Sequence, residues 1–153
     1  MEIKDGKNYI PAVKKLITEY LHWLGQDLSF QNVDEELRDP AKKYTSPEGE
    51  LLVAVENGKV LGMVAYHRHT QSRCEMKRLY VCPEARGLHL GEQLVEKILL
   101  HAKAAGYKEI VLDTLVPLKA AVSLYKKCGF TPCEAYYANP LPDVIYMKKV
   151  LQT

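Results

Sequence analysis

The sequence predicts a mixed α/β (α+β) fold in which helices cover both faces of a central sheet. Helical periodicity near the start of the chain gives way to strand-like apolar runs from residue 51 onward. The dipeptide Asn57-Gly58 joins two such runs, and helices and strands then alternate to the end. The chain has 153 residues, the size of one ordinary domain, and 47% of them are hydrophobic, so it can build a sizeable core.

Two helices are predicted in the N-terminal part of the chain. Residues 9–24 place an apolar stripe on one helical face, and Gly25 can end this helix. The stripe consists of Val13, Leu16, Ile17, Tyr20, Leu21 and Leu24. A second, short helix is predicted over Gln31–Arg38, and the polar residues 40–50, with two prolines, predict a loop.

Three strands are predicted after this loop. Residues 51–67 form two strands joined at Asn57-Gly58, because both turn residues tolerate positive φ. Residues 74–81 form a third strand, which Pro83 stops. Regular alternation places four of its side chains on one face: Glu75, Lys77, Leu79 and Val81.

The remaining elements alternate between helix and strand. A long helix over residues 89–105 carries the apolar stripe Leu90, Leu94, Ile98 and Ala102 and ends at Gly106. Residues 109–115 predict a buried strand, and residues 117–130 a helix that Pro117 opens and Gly129 ends. Short strands near 130–136 and 144–150 close the chain.

The turn before the long helix has the composition of an anion seat. The first N–H groups of a helix lack internal partners, and the helix dipole places partial positive charge there. Gly87 lets the backbone approach an anion, and the forked guanidinium of Arg86 suits a phosphate. Two structural roles explain the same residues: Gly91 allows close packing, and Arg86 is a solvated surface charge.

Two motifs in this part of the chain resemble those of the GNAT superfamily of N-acetyltransferases. The first is the family's Q/R-x-x-G-x-G/A turn, which binds the pyrophosphate of acetyl-CoA. In this chain it maps to Arg86, Gly87, Leu88, His89, Leu90 and Gly91. The second is an A-x-x-L-Y helix ending in G-F, here Ala121, Leu124, Tyr125, Gly129 and Phe130. The residues in and around these motifs are similar to those of a bacterial branch of the family whose acceptors are poorly defined.

The resemblance implies a single N-acetyltransferase domain over residues 1–153, with a mostly antiparallel central sheet. Residues 1–48 correspond to the family's variable helices on the substrate side, and residues 50–150 to the acetyl-CoA-binding core. The implied reaction transfers an acetyl group from acetyl-CoA to a primary amine of a small molecule or a protein, by direct attack on the thioester.

Site residues follow from the same resemblance. Residues 86–91 would hold the pyrophosphate, and main-chain groups of Leu79 and Val81 would hold the pantetheine. Tyr125 would protonate the leaving thiolate, which suits a phenol with a pKa of about 10. Glu75 matches the position of a general base in some members, although four residues of strand span about 13 Å, which favours a water relay.

Two residues depart from the family's motifs. His89 stands where the first motif usually has a glycine, and histidine tolerates unusual backbone angles better than most residues. Leu118 stands where many members have an asparagine that opens the second helix, so one polar contact to the cofactor arm is missing. Neither change removes the main-chain amides.

Several residues have two interpretations at this point. Glu75 is explained equally well as an ion-pair partner of Lys77 or Arg78, and Tyr125 as a packing residue. Tyrosines near the C terminus, together with Asn139, either line the acceptor pocket or form an aromatic cap; they are Tyr136, Tyr137 and Tyr146. His67 and His69 are expected at the surface.

Composition and charge exclude several other function classes. The net charge is +2 without a polybasic arm, so nucleic acid is not an expected partner. No apolar run approaches the roughly 20 residues that span a bilayer, and no signal peptide is evident, which predicts a cytoplasmic protein without a membrane partner. The four cysteines match no zinc spacing, so reduced thiols and no metal are expected.

Two other functions stay open on the sequence alone. A non-catalytic acyl-CoA-binding or sensing module would keep the phosphate seat without using Tyr125 or Glu75. A structural or partner-binding domain would use none of these residues. The acceptor is not identified by any motif, and the chain is expected to be a monomer or a homodimer.

Overall fold

The computed structural model describes residues 1–28, 31–45 and 48–152. In these ranges seven strands form one sheet with the order β1-β2-β3-β4-β5-β7-β6. Their bounds are β1 Glu2–Asp5, β2 Glu50–Glu56, β3 Lys59–Arg68, β4 Arg73–Val81, β5 Glu109–Leu115, β6 Thr131–Pro132 and β7 Val144–Val150. All neighbours are antiparallel except β4 and β5, which are parallel. The predicted mixed α/β fold with a mostly antiparallel sheet is confirmed.

Five α-helices lie on the two faces of this sheet in the described ranges. They are α1 Ile10–Leu24, α2 Val33–Arg38, α3 Pro40–Lys43, α4 Leu90–Ala104 and α5 Lys119–Lys127. Side chains of α4 and α5 belong to one core cluster, and those of α1 belong to the other. Strand β2 serves both clusters, since Leu52 and Ala54 face α4 while Leu51 and Val53 face α1.

The sheet divides between β4 and β5. The two strands pair at only three positions, from Arg73↔Glu109 to Glu75↔Val111, whereas β4 continues to Val81. The cause is a β-bulge in β4, where the register with β3 shifts and Arg78 has a left-handed φ of 62°. The divergence opens a cleft through the sheet, which is lined by residues of α1 on one face and α5 on the other.

The bulge overturns the predicted alternation along β4. Glu75, Lys77, Leu79 and Val81 do not share one face. Leu79 and Val81 pack with Cys74 and Met76 in the α4 cluster, whereas Tyr80 packs in the α1 cluster. An extra residue in a strand shifts every later side chain to the opposite face, and the extra residue here lies at Arg78.

Several boundaries differ from the predicted ones. Strand β1 was not predicted, and α3 lies where a loop was predicted; Ser46 and Pro47 of that predicted loop lie outside the described residues. Helix α5 begins at Lys119, two residues after Pro117, and the strand predicted near 130–136 is Thr131–Pro132 alone. The Asn57-Gly58 hairpin is confirmed, with positive φ at both residues.

Candidate active site

The N terminus of α4 presents unpaired main-chain N–H groups close to β4 and α5, since Gly91 approaches Val81 and Leu124. Among the described residues, none accepts a hydrogen bond from the main-chain N–H groups of residues 89–92, and the first bond of the helix runs from Gln93 N–H to the His89 carbonyl. His89 precedes the helix with a left-handed φ of 58°, and its side chain is 79% exposed. Unpaired amides at the positive end of a 15-residue helix are a favourable environment for an anion.

The two glycines of this turn have different roles. Gly87 has a φ of +86° with open space around it, so the backbone conformation itself calls for glycine. A Cβ on Gly91 would lie 3.2 Å from Leu124 Cδ2 of α5. The close packing considered for Gly91 is therefore present, although it involves α5 rather than only the sheet.

Arg86 lies against the α1 side of the turn. Its Nε donates to the Val81 carbonyl at 3.1 Å, and its guanidinium lies 5.4 Å from the ring centre of Trp23 and 5.6 Å from that of Tyr80. The terminal nitrogens form no hydrogen bond with another described residue. Stacking thus fixes the direction of the side chain and leaves these donors available.

The cleft brings Tyr125 and the end of β4 together. Its lining includes Arg78 and Leu79 of β4, Asp113 of β5, Tyr125 of α5, and Leu118, which precedes α5. Tyr125 is 8% exposed, and its hydroxyl forms no hydrogen bond with another described residue. Burial raises the pKa of Tyr125 above its usual range, so the hydroxyl is neutral and available as a donor.

Main-chain groups of β4 are unpaired along the cleft. In the pairing of β4 with β3, Met63 is opposite Tyr80 and Ala65 opposite Lys77, so Leu79 has no partner residue in the bulge. Val81 pairs with Gly62 of β3 but lies beyond the last pair with β5. A ligand in the cleft can therefore form the main-chain hydrogen bonds that β5 would otherwise supply.

Glu75 is held by several donors. His67 Nε2 lies 2.9 Å from Oε1, the Tyr136 hydroxyl donates to Oε2, and Lys77 Nζ lies 3.7 Å from Oε2. Burial raises the pKa of this carboxyl, but the bonds from His67 and Tyr136 and the charge of Lys77 outweigh burial and lower it to about 2. The ion pair with Lys77 is present, whereas Arg78 pairs with Glu36 instead, at 2.8 Å.

Comparison with known proteins identifies the family of this chain. The sequence model of the Acetyltransferase (GNAT) family matches residues 12–130. The chain belongs to the GNAT acetyltransferase family. Family membership makes it an enzyme that transfers an acetyl group from acetyl-CoA to an amine, which confirms the predicted enzyme class.

Individual relatives of this acetyltransferase cover most of its length. An uncharacterized N-acetyltransferase of Schizosaccharomyces pombe is 53% identical over 137 residues, which are 88% of this chain and 84% of the relative. The IAA acetyltransferase of Azospirillum brasilense is 35% identical over 144 residues, 92% of this chain and 91% of that one. An acetyltransferase structure from Streptococcus agalactiae superposes with a TM-score of 0.80 at 25% identity, covering 98% of each chain. A fungal chain is among these relatives, and the bacterial branch stays a prediction.

The C-terminal tyrosines of the acetyltransferase form a cluster and also line a pocket. The rings of Tyr136, Tyr137 and Tyr146 lie 5.4–6.0 Å apart, centre to centre. Tyr136 and Tyr137 line a pocket with Lys43, His67, His69, Glu75 and Lys77. The aromatic cluster is therefore present, whereas the role of the pocket in binding the acceptor stays a prediction. The two histidines lie at this pocket rather than on an open surface.

Four charged residues of the site were not predicted. Asp113 Oδ2 accepts hydrogen bonds from Tyr137 and from Asn139 Nδ2, the latter at 2.7 Å, and Lys77 lies between Asp113 and Glu75. Glu36 and Arg78 form the buried ion pair described above. The available signal was a charged residue inside an apolar strand, as for Asp113 in "EIVLDTL", because buried charges are rare unless paired or functional.

None of the helices in the described ranges has the length and apolarity that a membrane crossing requires.

Proposed function

We propose that the acetyltransferase moves the acetyl group of acetyl-CoA to a primary amine of a small molecule or a protein, by direct attack of the amine on the thioester. One observation carries the proposal: an unpaired tyrosine hydroxyl lies inside the cleft between β4 and β5, and the unpaired amides of α4 lie at a turn where Gly91 approaches Val81 of β4 and Leu124 of α5. This arrangement suits a long ligand with a phosphorylated end and a reactive end.

Acetyl-CoA fits the donor groups that are present, and when bound it supplies the activated acetyl group. The amides at the start of α4 would bind its pyrophosphate, with Arg86 as an additional cation, and the proposed seat is residues 86–91. Main-chain groups of Leu79 and Val81 would hold the pantetheine. The N–H of Leu79 is placed in the bulge and would stabilise negative charge on the thioester oxygen.

Tyr125 is the proposed acid. Its hydroxyl lies in the cleft, is neutral because burial raises its pKa, and has no acceptor among the described residues. It would donate to the CoA sulfur as the thiolate leaves. Leu118 precedes α5 and lines the same cleft, so it contributes apolar contact where many members have a polar one.

Glu75 is the proposed base, and the geometry gives this role less support than that of Tyr125. Its carboxylate is already bonded to His67 and Tyr136, and its pKa of about 2 makes it a weak base. A water molecule between Glu75 and the amine would have to relay the proton. Binding energy and orientation would supply much of the rate in either case.

The N-terminal part of the chain is the proposed acceptor side of one N-acetyltransferase domain. Tyr20, Trp23 and Gln31 line the cleft from this part, residues 1–48, while residues 50–150 supply the proposed acetyl-CoA contacts. Strand β1 joins the main sheet, so this part is not purely helical. We also propose a cytoplasmic protein that acts as a monomer or homodimer, the latter because homodimers are common in the family.

The proposal is tested by amine-dependent release of CoA from acetyl-CoA. With a panel of primary amines, we expect at least one to accelerate release and to be recovered as its N-acetyl product. Tyr125→Phe should lower kcat about 100-fold with that amine, because it removes the proton donor. Tyr66→Phe is the matched control, since Tyr66 is 1% exposed and lies outside the cleft lining.

One result would contradict the transfer reaction, and another would contradict the role of Tyr125. Binding of acetyl-CoA without release in the presence of any amine would favour the non-catalytic binding module. Equal turnover by the parent and Tyr125→Phe would remove Tyr125 from the mechanism while leaving the transfer reaction in place.

A further inference from the structure

Lys77 is a buried cation with unused hydrogen-bonding capacity. Its side chain is 8% exposed, and its Nζ lies 3.7 Å from Glu75 Oε2 and 3.9 Å from Asp113 Oδ1. Both distances exceed that of a hydrogen bond, and Lys77 forms none with another described residue. A buried ammonium group has three N–H donors that require acceptors, so this one can receive an anionic oxygen.

Asp113 has the complementary property. Its side chain is 9% exposed, and Oδ2 accepts hydrogen bonds from Tyr137 and Asn139. Oδ1 has Lys77 at 3.9 Å as its charged neighbour and accepts no hydrogen bond from another described residue. One oxygen of this carboxylate is therefore fixed by the protein, and the other is available to an N–H donor.

The two groups lie where an acceptor would react. Lys77 and Asp113 line the same cleft as Leu79 and Tyr125, which are proposed to contact the thioester. The other buried carboxylates near them are occupied: Glu75 is bonded by His67 and Tyr136, and Glu36 accepts two bonds from Arg78. Lys77 Nζ and Asp113 Oδ1 thus lie 3.9 Å apart as opposite charges, and each can form hydrogen bonds that the described residues do not supply.

We propose that the amine acceptor is an α-amino acid whose carboxylate binds Lys77 and whose amino group binds Oδ1 of Asp113. The inference rests on the proposed acetyl transfer and names its substrate class. An α-amino acid carries both charges on groups that are bonded to the same carbon atom, so one small zwitterion satisfies both groups without adding net charge to a buried site. Walls formed by Tyr20, Trp23 and Leu24 of α1 favour an apolar side chain.

The chemical balance is that of amide formation. The nitrogen–carbon bond forms and the carbon–sulfur bond breaks. Of the two protons that the ammonium group loses, one leaves with the CoA thiol and one passes to solvent. Oδ1 of Asp113 would hold the amino group in position and accept its hydrogen bond before the attack.

Binding of matched ligands to the CoA-saturated protein tests the inference. The probes are the common L-α-amino acids and their α-carboxamides, with affinities measured by isothermal titration calorimetry and CoA release measured separately with acetyl-CoA. We expect an apolar amino acid, such as leucine or phenylalanine, to bind at least about tenfold more tightly than its carboxamide. Phenylalanine should likewise bind more tightly than 3-phenylpropanoate, which lacks the amino group.

Variants assign these preferences to the two residues. Lys77→Met should reduce the preference for the acid over the carboxamide to about twofold or less, and Asp113→Asn should reduce the preference for phenylalanine over 3-phenylpropanoate. Lys97→Met is the matched control, because it removes one exposed positive charge of α4 on the opposite face. Affinity for CoA reports whether each variant is folded, and the ligand comparison on the parent chain does not depend on the variants.

The outcomes separate this inference from the proposed function. If amino acids bind with the expected preferences but release no CoA, the zwitterion site stands and the transfer proposal fails. If carboxamides or simple amines bind and react as well as amino acids, the transfer stands and the zwitterion site is wrong. The inference is also overturned if no amino acid binds, or if the acid preference survives in Lys77→Met.

Discussion

Arg78 and His89 have the left-handed backbone conformation that residues with a Cβ rarely adopt, with φ of 62° and 58°. Arg78 lies in the bulge that opens the cleft, and His89 lies at the start of α4 in the proposed anion seat. Such conformations cost of order 1–3 kcal/mol and persist where the surrounding structure enforces them. Both therefore lie at the positions where the proposed acetyl-CoA site depends on backbone geometry.

Glu75 links the site to the acid stability of the protein. Its pKa is lowered from 4.5 to about 2, so its ionised form stabilises the fold above the unfolded-state pKa, and this contribution disappears as the pH falls through the folded-state pKa. Glu75→Gln should therefore cost about 3 kcal/mol at pH 7, and the difference from the parent should shrink between about pH 5 and pH 2.

Urea unfolding at pH 7 and at pH 3 measures this difference. The control is Glu56→Gln, which removes an exposed carboxylate and should change the free energy of unfolding by less than about 0.5 kcal/mol. A difference between parent and Glu75→Gln that is the same at both pH values would show that the lowered pKa does not contribute to stability.

Local motifs led to groups that the structure leaves without a protein partner. The amides of residues 89–92 and the hydroxyl of Tyr125 belong to such motifs, and neither set forms a hydrogen bond with another described residue. Their roles in binding and catalysis stay predictions. Lys77 and Asp113 were not predicted as a pair, because their contact depends on which strands become neighbours. Hydrogen bonding across β4 and β5 is a long-range property that spacing within a strand does not reveal.

The bulge of β4 and helix α2 are joined by a buried ion pair. Arg78 donates to Glu36 through Nε at 2.8 Å and through Nη2 at 3.1 Å, and Tyr44 donates to the same carboxylate at 2.9 Å. Glu36 is 3% exposed and Arg78 is 4% exposed. The pair connects residues 42 apart in the sequence and fixes α2 against the strand that opens the cleft.

Breaking this pair should be strongly destabilising. Glu36→Gln leaves a buried guanidinium without its counter-charge, and we expect a loss of about 3–5 kcal/mol in the free energy of unfolding. The control is Glu92→Gln, because Lys127 Nζ lies 2.9 Å from Glu92 in an exposed pair that should contribute less than about 1 kcal/mol. Similar losses in the two variants, measured in urea, would contradict the role assigned to Glu36.

At the scale of elements, hydrophobic periodicity predicted the helices and strands that are long enough to repeat the pattern several times. Helix α1 and helix α4 agree with the predicted spans within one residue at each end. Strand β1 is short and largely exposed, and α3 has only four residues, so neither has enough repeats to produce a pattern. The face of Leu79 was predicted incorrectly because a bulge is one inserted residue, which alternation cannot anticipate.

For the whole molecule, binding of acetyl-CoA should stabilise the fold measurably. Ligand at about 100 times its dissociation constant adds about 2.7 kcal/mol, which corresponds to a rise of about 5–10 °C in Tm for a chain of this length. Differential scanning fluorimetry with millimolar acetyl-CoA measures the shift. Adenosine is the control, since it lacks the phosphates that the amides of α4 would bind, and an equal shift with adenosine would contradict the assigned seat.

The three residue pairs between β4 and β5 leave the sheet with a seam near its middle. Four strands lie on one side and three on the other, and beyond Glu75 the two sides are joined mainly by side chains and helices. Amide hydrogens along the seam should therefore exchange with solvent sooner than those of the β2–β3 ladder, which has seven paired positions. A ligand bound between β4 and β5 would form hydrogen bonds to both sides of the sheet. Slower exchange of these amides would therefore report that the ligand is bound, even for an analogue that cannot react.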